Sequence, residues 1–118
     1  MVKSWWTAQN EPAPLESALP PTSYILTLQD KPALCVSLYF TNNKHVCLVE
    51  NFVGNPEVKG PMRRVATEIL LEFLEREARR NGVTHLHCTA TKKAVGERFK
   101  EIGFRETATA VSYFVKEL

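Results

Sequence analysis

The chain has 118 residues, with 15 Lys and Arg against 13 Asp and Glu, a net charge of +2. That length suits one domain with a real core, and so small a net charge does not by itself argue for nucleic acid, which calls for a clustered basic face. No apolar run approaches a membrane span. Lys3, Trp5 and Trp6 open the chain without a continuous apolar stretch behind them, so no signal peptide is expected. The cysteines, Cys35, Cys47 and Cys88, are odd in number and each sits in an apolar run. They read as buried, reduced thiols of a cytoplasmic protein.

Residues 1–22 carry Pro12, Pro14, Pro20 and Pro21, which exclude a long helix, and read as an irregular arm before a domain at 23–118. Trp5 and Trp6 are expected to cover an apolar face, the alternative being a partner-binding or subunit-swapping arm. Ser23 to Gln29 is β-branched and aromatic and predicts a strand, with a turn at Asp30-Lys31-Pro32. Ala33 to Thr41 predicts a second strand, apolar on both faces. Asn42-Asn43 predicts a hairpin turn and His45 to Phe52 a third, antiparallel strand.

Val53 to Gly60 is a loop, and Pro61 opens a helix running to about Arg80. Met62, Val65, Ala66, Ile69, Leu70, Phe73, Leu74 and Ala78 form its expected apolar stripe. Asn81-Gly82 stops it. Val83 to Ala90 predicts a fourth strand, parallel to the third because a helix crosses between them. Thr91 is placed to cap a second helix, Lys92 to Ile102, with Val95, Phe99 and Ile102 inward and Gly103 at its end. Arg105 to Lys116 predicts a last strand on the alternation of Val111, Tyr113 and Val115. The order is β-β-β-α-β-α-β, an α/β (α+β) fold with a mixed, mostly antiparallel sheet.

From about Ser23 to Val115 this order, the long helix followed by Asn-Gly-Val and a strand, and the run AVGERFKEIGF (Ala94 to Phe104) together resemble the GNAT N-acetyltransferase superfamily. The resemblance implies an acyl transfer from acetyl-CoA to an amine acceptor by direct attack on the thioester. Glu50 matches the general base found at that strand end in many members. The bland alternative is an ordinary carboxylate at a strand end. Asn51, Phe52 and Val53 match the backbone that pairs with the pantetheine arm.

The family's pyrophosphate motif (Arg or Gln, two residues, Gly, one residue, Gly or Ala) falls on Pro61-Met62-Arg63-Arg64-Val65-Ala66. Ala66 fits. Pro61 replaces the Arg or Gln, and Arg64 replaces the first Gly. Arg63 and Arg64 could add charge at the pyrophosphate, Arg64 could obstruct it, or both could be a solvated helix start. The family's usual general acid, a Tyr four residues before the Gly of Gly-Phe, is here Phe99. A phenyl ring donates no proton, although it can pack against pantetheine. Tyr39, Tyr113 and Cys88 are the nearest substitutes. The family's first strand and two acceptor-side helices have no counterpart, leaving the acceptor side open or completed by a second subunit.

His85 and His87 share one strand face and Cys88 the other, so no zinc set and no Cys-His nucleophile pair is expected. Lys92, Lys93, Arg98, Lys100 and Arg105 make the second helix and its exit basic: a wet face, or attraction for the adenosine 3′-phosphate or for nucleic acid, the last disfavoured by the lack of interleaved exposed aromatics. The sequence therefore carries two readings, an acetyl-CoA-dependent N-acyltransferase and a catalytically inactive GNAT-like protein with a structural, regulatory or interaction role.

Overall fold

A computed structural model describes every residue except Thr91, Ala110, Val111, Tyr113, Val115 and Glu117. The elements in chain order are α1 (Val2–Ala8), a 3₁₀ turn (Glu16–Ala18), β1 (Ser23–Leu28), β2 (Lys31–Phe40), β3 (Val46–Gly54), α2 (Pro61–Arg80), β4 (His85–Cys88) and α3 (Lys93–Glu101). The sheet order is β1-β2-β3-β4. The first three strands form an antiparallel meander, and β4 runs parallel to β3 after the α2 crossover, as expected. The expected last strand has its apolar positions, Val111, Tyr113 and Val115, outside the described residues. Residues 104–109 carry no regular secondary structure. The expected cap Thr91 also lies outside them, and Lys92 holds the cap position of α3 without a side-chain bond.

The register sorts the side chains into two faces. Tyr24, Leu26, Leu34, Val36, Leu38, Cys47, Val49, Leu86 and Cys88 share the face on which α2 lies. Leu70, Leu71, Leu74 and Ala78 of α2 pack there, with Phe73 edge-on to Tyr24. On β2 the run from Ala33 to Leu38 is buried except for half-buried Cys35, which bears out burial on both faces.

Two turns differ from expectation. Between β1 and β2 the turning residues are Gln29 and Asp30, both with positive φ, so Leu28 pairs with Lys31 across a two-residue primed turn. At residues 41–45 neither asparagine takes positive φ. The Thr41 hydroxyl instead lies 2.8 Å from the Asn43 carbonyl and 2.9 Å from the Val46 carbonyl, with one proton to share between them, and the Asn43 side chain accepts from the His45 N–H. Polar side chains do there what a left-handed backbone would have done.

The apolar stripe of α2 is rotated from the expected one. Met62, Val65 and Ile69 are exposed, Ile69 at 43%, while Thr67 and Leu71 are buried. Thr67 tolerates this because its hydroxyl bonds back to the Arg63 carbonyl at 2.8 Å. Helices α1, α2 and α3 all end in Schellman motifs: at α1 the Glu11 N–H bonds the Trp6 carbonyl past Asn10 (φ 58°). Val83 N–H bonds the Ala78 carbonyl past Gly82 (φ 81°), and Phe104 N–H bonds the Phe99 carbonyl past Gly103 (φ 102°).

The arm at residues 1–22 is not irregular throughout, because residues 2–8 coil into α1 before the first proline. Trp5 is buried at 4%, and α1 packs on β3. The rest of the arm is tied to β2: Leu38 N–H donates to the Thr22 carbonyl, the Thr22 hydroxyl to the Leu38 carbonyl, and the Tyr39 hydroxyl to the Ala18 carbonyl.

Leu74→Ala is expected to cost about 2–5 kcal/mol in urea unfolding, as for a fully buried leucine, and Ile69→Ala less than about 1 kcal/mol. Equal losses at the two positions would contradict the rotated stripe.

Candidate active site

The site grows from an irregularity in β3. Ser37 pairs with Glu50 and Cys35 with Val53, so Asn51 and Phe52 together face Val36 alone. This is a β-bulge, and Asn51 takes its left-handed backbone (φ 58°), which asparagine tolerates better than most residues. The extra residue resets the alternation. Glu50 keeps the face of Ser37, Phe52 turns to the α2 face, and Val53 returns to Glu50's side. The Asn51 amide donates to the Tyr39 hydroxyl at 2.7 Å, holding the bulge on the face where the arm is tied down.

Pairing of β3 with β4 ends where the bulge begins. The last parallel partners are Val49 and Cys88. Beyond them the two strands are joined by side chains: the Thr89 hydroxyl donates to Glu50 Oε2 at 2.9 Å. Glu50 is half-buried, and burial pushes its carboxyl above the ordinary 4.5, against the pull of the Thr89 bond. Cys88, on the other face, is pushed up to about 11 by burial and then by Glu50's charge.

Phe52 and Phe99 floor this divergence on the α2 side. Their rings meet edge-on at 5.7 Å, and Phe104 closes on Phe99 at 5.4 Å. Phe99 is 4% exposed and so is a packing residue first. The Gly-Phe ending thereby acquires a cause: Gly103 reverses the chain and lays Phe104 on Phe99, the apolar contact that accompanies a Schellman turn.

At the start of α2, Gly60 takes φ 62° and ψ −136°, and no side chain caps the helix. Arg64 is exposed and pairs with Glu101 of α3 at 3.7 Å. Val65 is exposed and Ala66 buried. Arg63 turns away from solvent. Its Nε donates to the Val58 carbonyl at 2.9 Å and an Nη to the Asn55 carbonyl at 2.6 Å. Burial and then the charge of Arg98 push its pKa down.

The structure thus gathers Glu50, Asn51, Phe52 and Phe99 around one divergence, with Val53 buried beside it. It spreads Arg63, Arg64, Val65 and Ala66 around the helix start with separate tasks. Three participants were missed in the sequence. Thr89 was one residue past a strand end and carried no motif. Arg98 was seen only as part of a basic helix. Asn55 stood in a Gly-Asn-Pro turn, whose local signal pointed to a loop and nothing more.

The fold has known counterparts. No family model and no curated protein matches the sequence. Solved structures do. Residues covering 74% of this chain match 19% of N-acetylglutamate synthase from Neisseria gonorrhoeae, complexed with coenzyme A and N-acetyl-glutamate, at TM-score 0.59 and 20% identity. An aminoglycoside 6′-N-acetyltransferase from Acinetobacter haemolyticus matches 84% of this chain over 73% of its own, at TM-score 0.56 and 21% identity. A protein from Agrobacterium tumefaciens, named as an acetyltransferase by inference, matches 98% over 91%, at TM-score 0.61 and 14% identity. The chain spans about a fifth of the synthase and nearly all of the Agrobacterium protein. The fold is that of the GNAT acetyltransferases, in divergent form.

The raised carboxyl gives a pH signature. A folded pKa above the unfolded one means that the folded state holds more protons, so the stability Glu50 contributes is present below about 4.5 and is lost as pH rises through its folded value. Melting temperatures of wild type and Glu50→Gln are therefore expected to move in favour of the variant between pH 4 and 8. A difference independent of pH would show that the carboxyl is not perturbed.

Proposed function

We propose that this chain transfers an acetyl group from acetyl-CoA to an amine, with Glu50 as general base. The observation that carries the reading is the half-buried Glu50 carboxyl, raised by burial, at the point where β3 bulges and leaves β4. A carboxylate whose pKa is raised toward neutrality both accepts and releases a proton readily. Acetyl-CoA supplies the thioester carbon that the amine attacks. Glu50 takes the proton from the attacking nitrogen as the N–C bond forms, and the C–S bond breaks to release the thiolate of coenzyme A. The Thr89 hydroxyl orients the carboxylate by holding Oε2.

The protein's residues suit such a substrate. The start of α2 is uncapped by any side chain, so its N–H groups and positive dipole end favour a pyrophosphate. Arg98 adds charge close to Arg63 on the same side. The bulge at Asn51 and Phe52 interrupts the backbone ladder and frees backbone groups for the pantetheine amides. The solved counterparts with coenzyme A in their names support the same substrate class.

A second reading rests on one observation. Phe99 stands buried where the family's proton donor is expected, so binding without turnover remains the alternative. In the catalytic reading the departing thiolate takes its proton from water.

Acetyl-CoA at millimolar concentration is expected to raise the melting temperature, since a ligand binding only the native state stabilises it. A flat response overturns both readings. Glu50→Gln should keep the shift while coenzyme A release on an amine panel falls by about 10²–10⁴-fold. Unchanged release would remove Glu50 from the mechanism, and a shift with no release in wild type would favour binding alone.

A further inference from the structure

The loop between β3 and α2 is held by an unusual concentration of bonds on one residue. Asn55 is buried, and each of its polar groups has a partner. Its N–H donates to the Ala33 carbonyl at 2.8 Å, and its side-chain amide to the Pro32 carbonyl at 2.8 Å. Its Oδ1 accepts from Glu57 N–H at 3.0 Å, and its carbonyl accepts from Val58 N–H at 3.0 Å and from Arg63 at 2.6 Å. Asn55 thus ties the loop to the start of β2, and Arg63 ties the start of α2 to Asn55.

Arg63 does this with two prongs. Nε reaches Val58 while Nη reaches Asn55, so one rigid guanidinium spans two carbonyls of the same turn. The plate lies directly over Gly54. A Cβ on that residue would run into the guanidinium carbon and both of its terminal nitrogens. Gly54 does not have positive φ, so its lack of a side chain answers to this contact and not to backbone strain.

We infer that Arg63 is a positioning residue: its guanidinium, seated on Gly54, clamps the loop at 55–60 and fixes the uncapped N-terminus of α2 in place. The reactive consequence rests on the acetyltransferase reading, because a fixed helix start matters most where it must meet a phosphate. Arg63 then acts on the phosphates through the helix it sets, with two of its five N–H donors committed to carbonyls.

Hydrogen exchange on the free protein, followed by acetyl-CoA titration, tests this. In Arg63→Met, amides at 55–62 should exchange about tenfold faster while those at 70–78 stay as in wild type, because two bonds from a charged donor are lost locally. Arg63→Lys should not rescue, since an ammonium cannot span both carbonyls. Gly54→Ala should reproduce the loop defect by unseating the guanidinium. The double variant Gly54→Ala with Arg63→Met should be no worse than the worse single one. The KM for acetyl-CoA should rise about tenfold with kcat within about twofold, as for lost binding without lost chemistry. Unchanged loop exchange in Arg63→Met, or simple addition in the double variant, overturns the clamp. Weaker acetyl-CoA binding with unchanged loop exchange would make Arg63 a phosphate ligand instead. The exchange experiment decides the clamp even if acetyl-CoA proves not to bind.

Discussion

The left-handed turn of Asn51 is the constraint on which the rest of the site depends. One extra residue in β3 changes the parity of everything after it. Without it Phe52 would share the face of Glu50. With it Phe52 joins Phe99 on the α2 side, and Glu50 keeps the face to which the N-terminal arm is bound. The same break ends the ladder to β4 at Val49 and Cys88. The interrupted backbone and the aromatic floor beside the carboxylate are therefore products of a single backbone event.

The supports of this arrangement are local. α3 owes its position to Gly103, which lets Phe104 fold back on Phe99, and α2 owes its start to the Asn55 and Arg63 bonds. The arm contributes little regular structure, yet α1 on β3 and the Tyr39–Ala18 bond place it beside the Glu50 face. Lys92, at the start of α3, reaches the Gln9 carbonyl at 3.5 Å and links the far end of the same arm.

Much of the frame was legible in the sequence because it follows from strong local rules. Pro61 and Asn81-Gly82 bracket α2 at the residues where it begins and ends. Strand order and the parallel β4 followed from the crossover. The stripe of α2 was misjudged because Met62, Val65 and Ile69 have the right spacing but lie at the helix edge, where the sheet no longer covers them. The bulge was illegible because ENFVG has the composition of a regular strand, and only pairing reveals the extra residue. The bonds of Arg63 were illegible for a related reason. Its partners are main-chain carbonyls, which every residue carries and no motif records.

Cys88 lies next to the proposed acyl-transfer centre, and a thiolate there would compete with the amine for the acetyl group. With its pKa pushed up to about 11, the thiol keeps its proton at neutral pH. Burial on the α2 face and the charge of Glu50 both keep the proton on sulfur. In the proposed reaction the carboxylate that would deprotonate the amine would also keep this neighbouring thiol protonated.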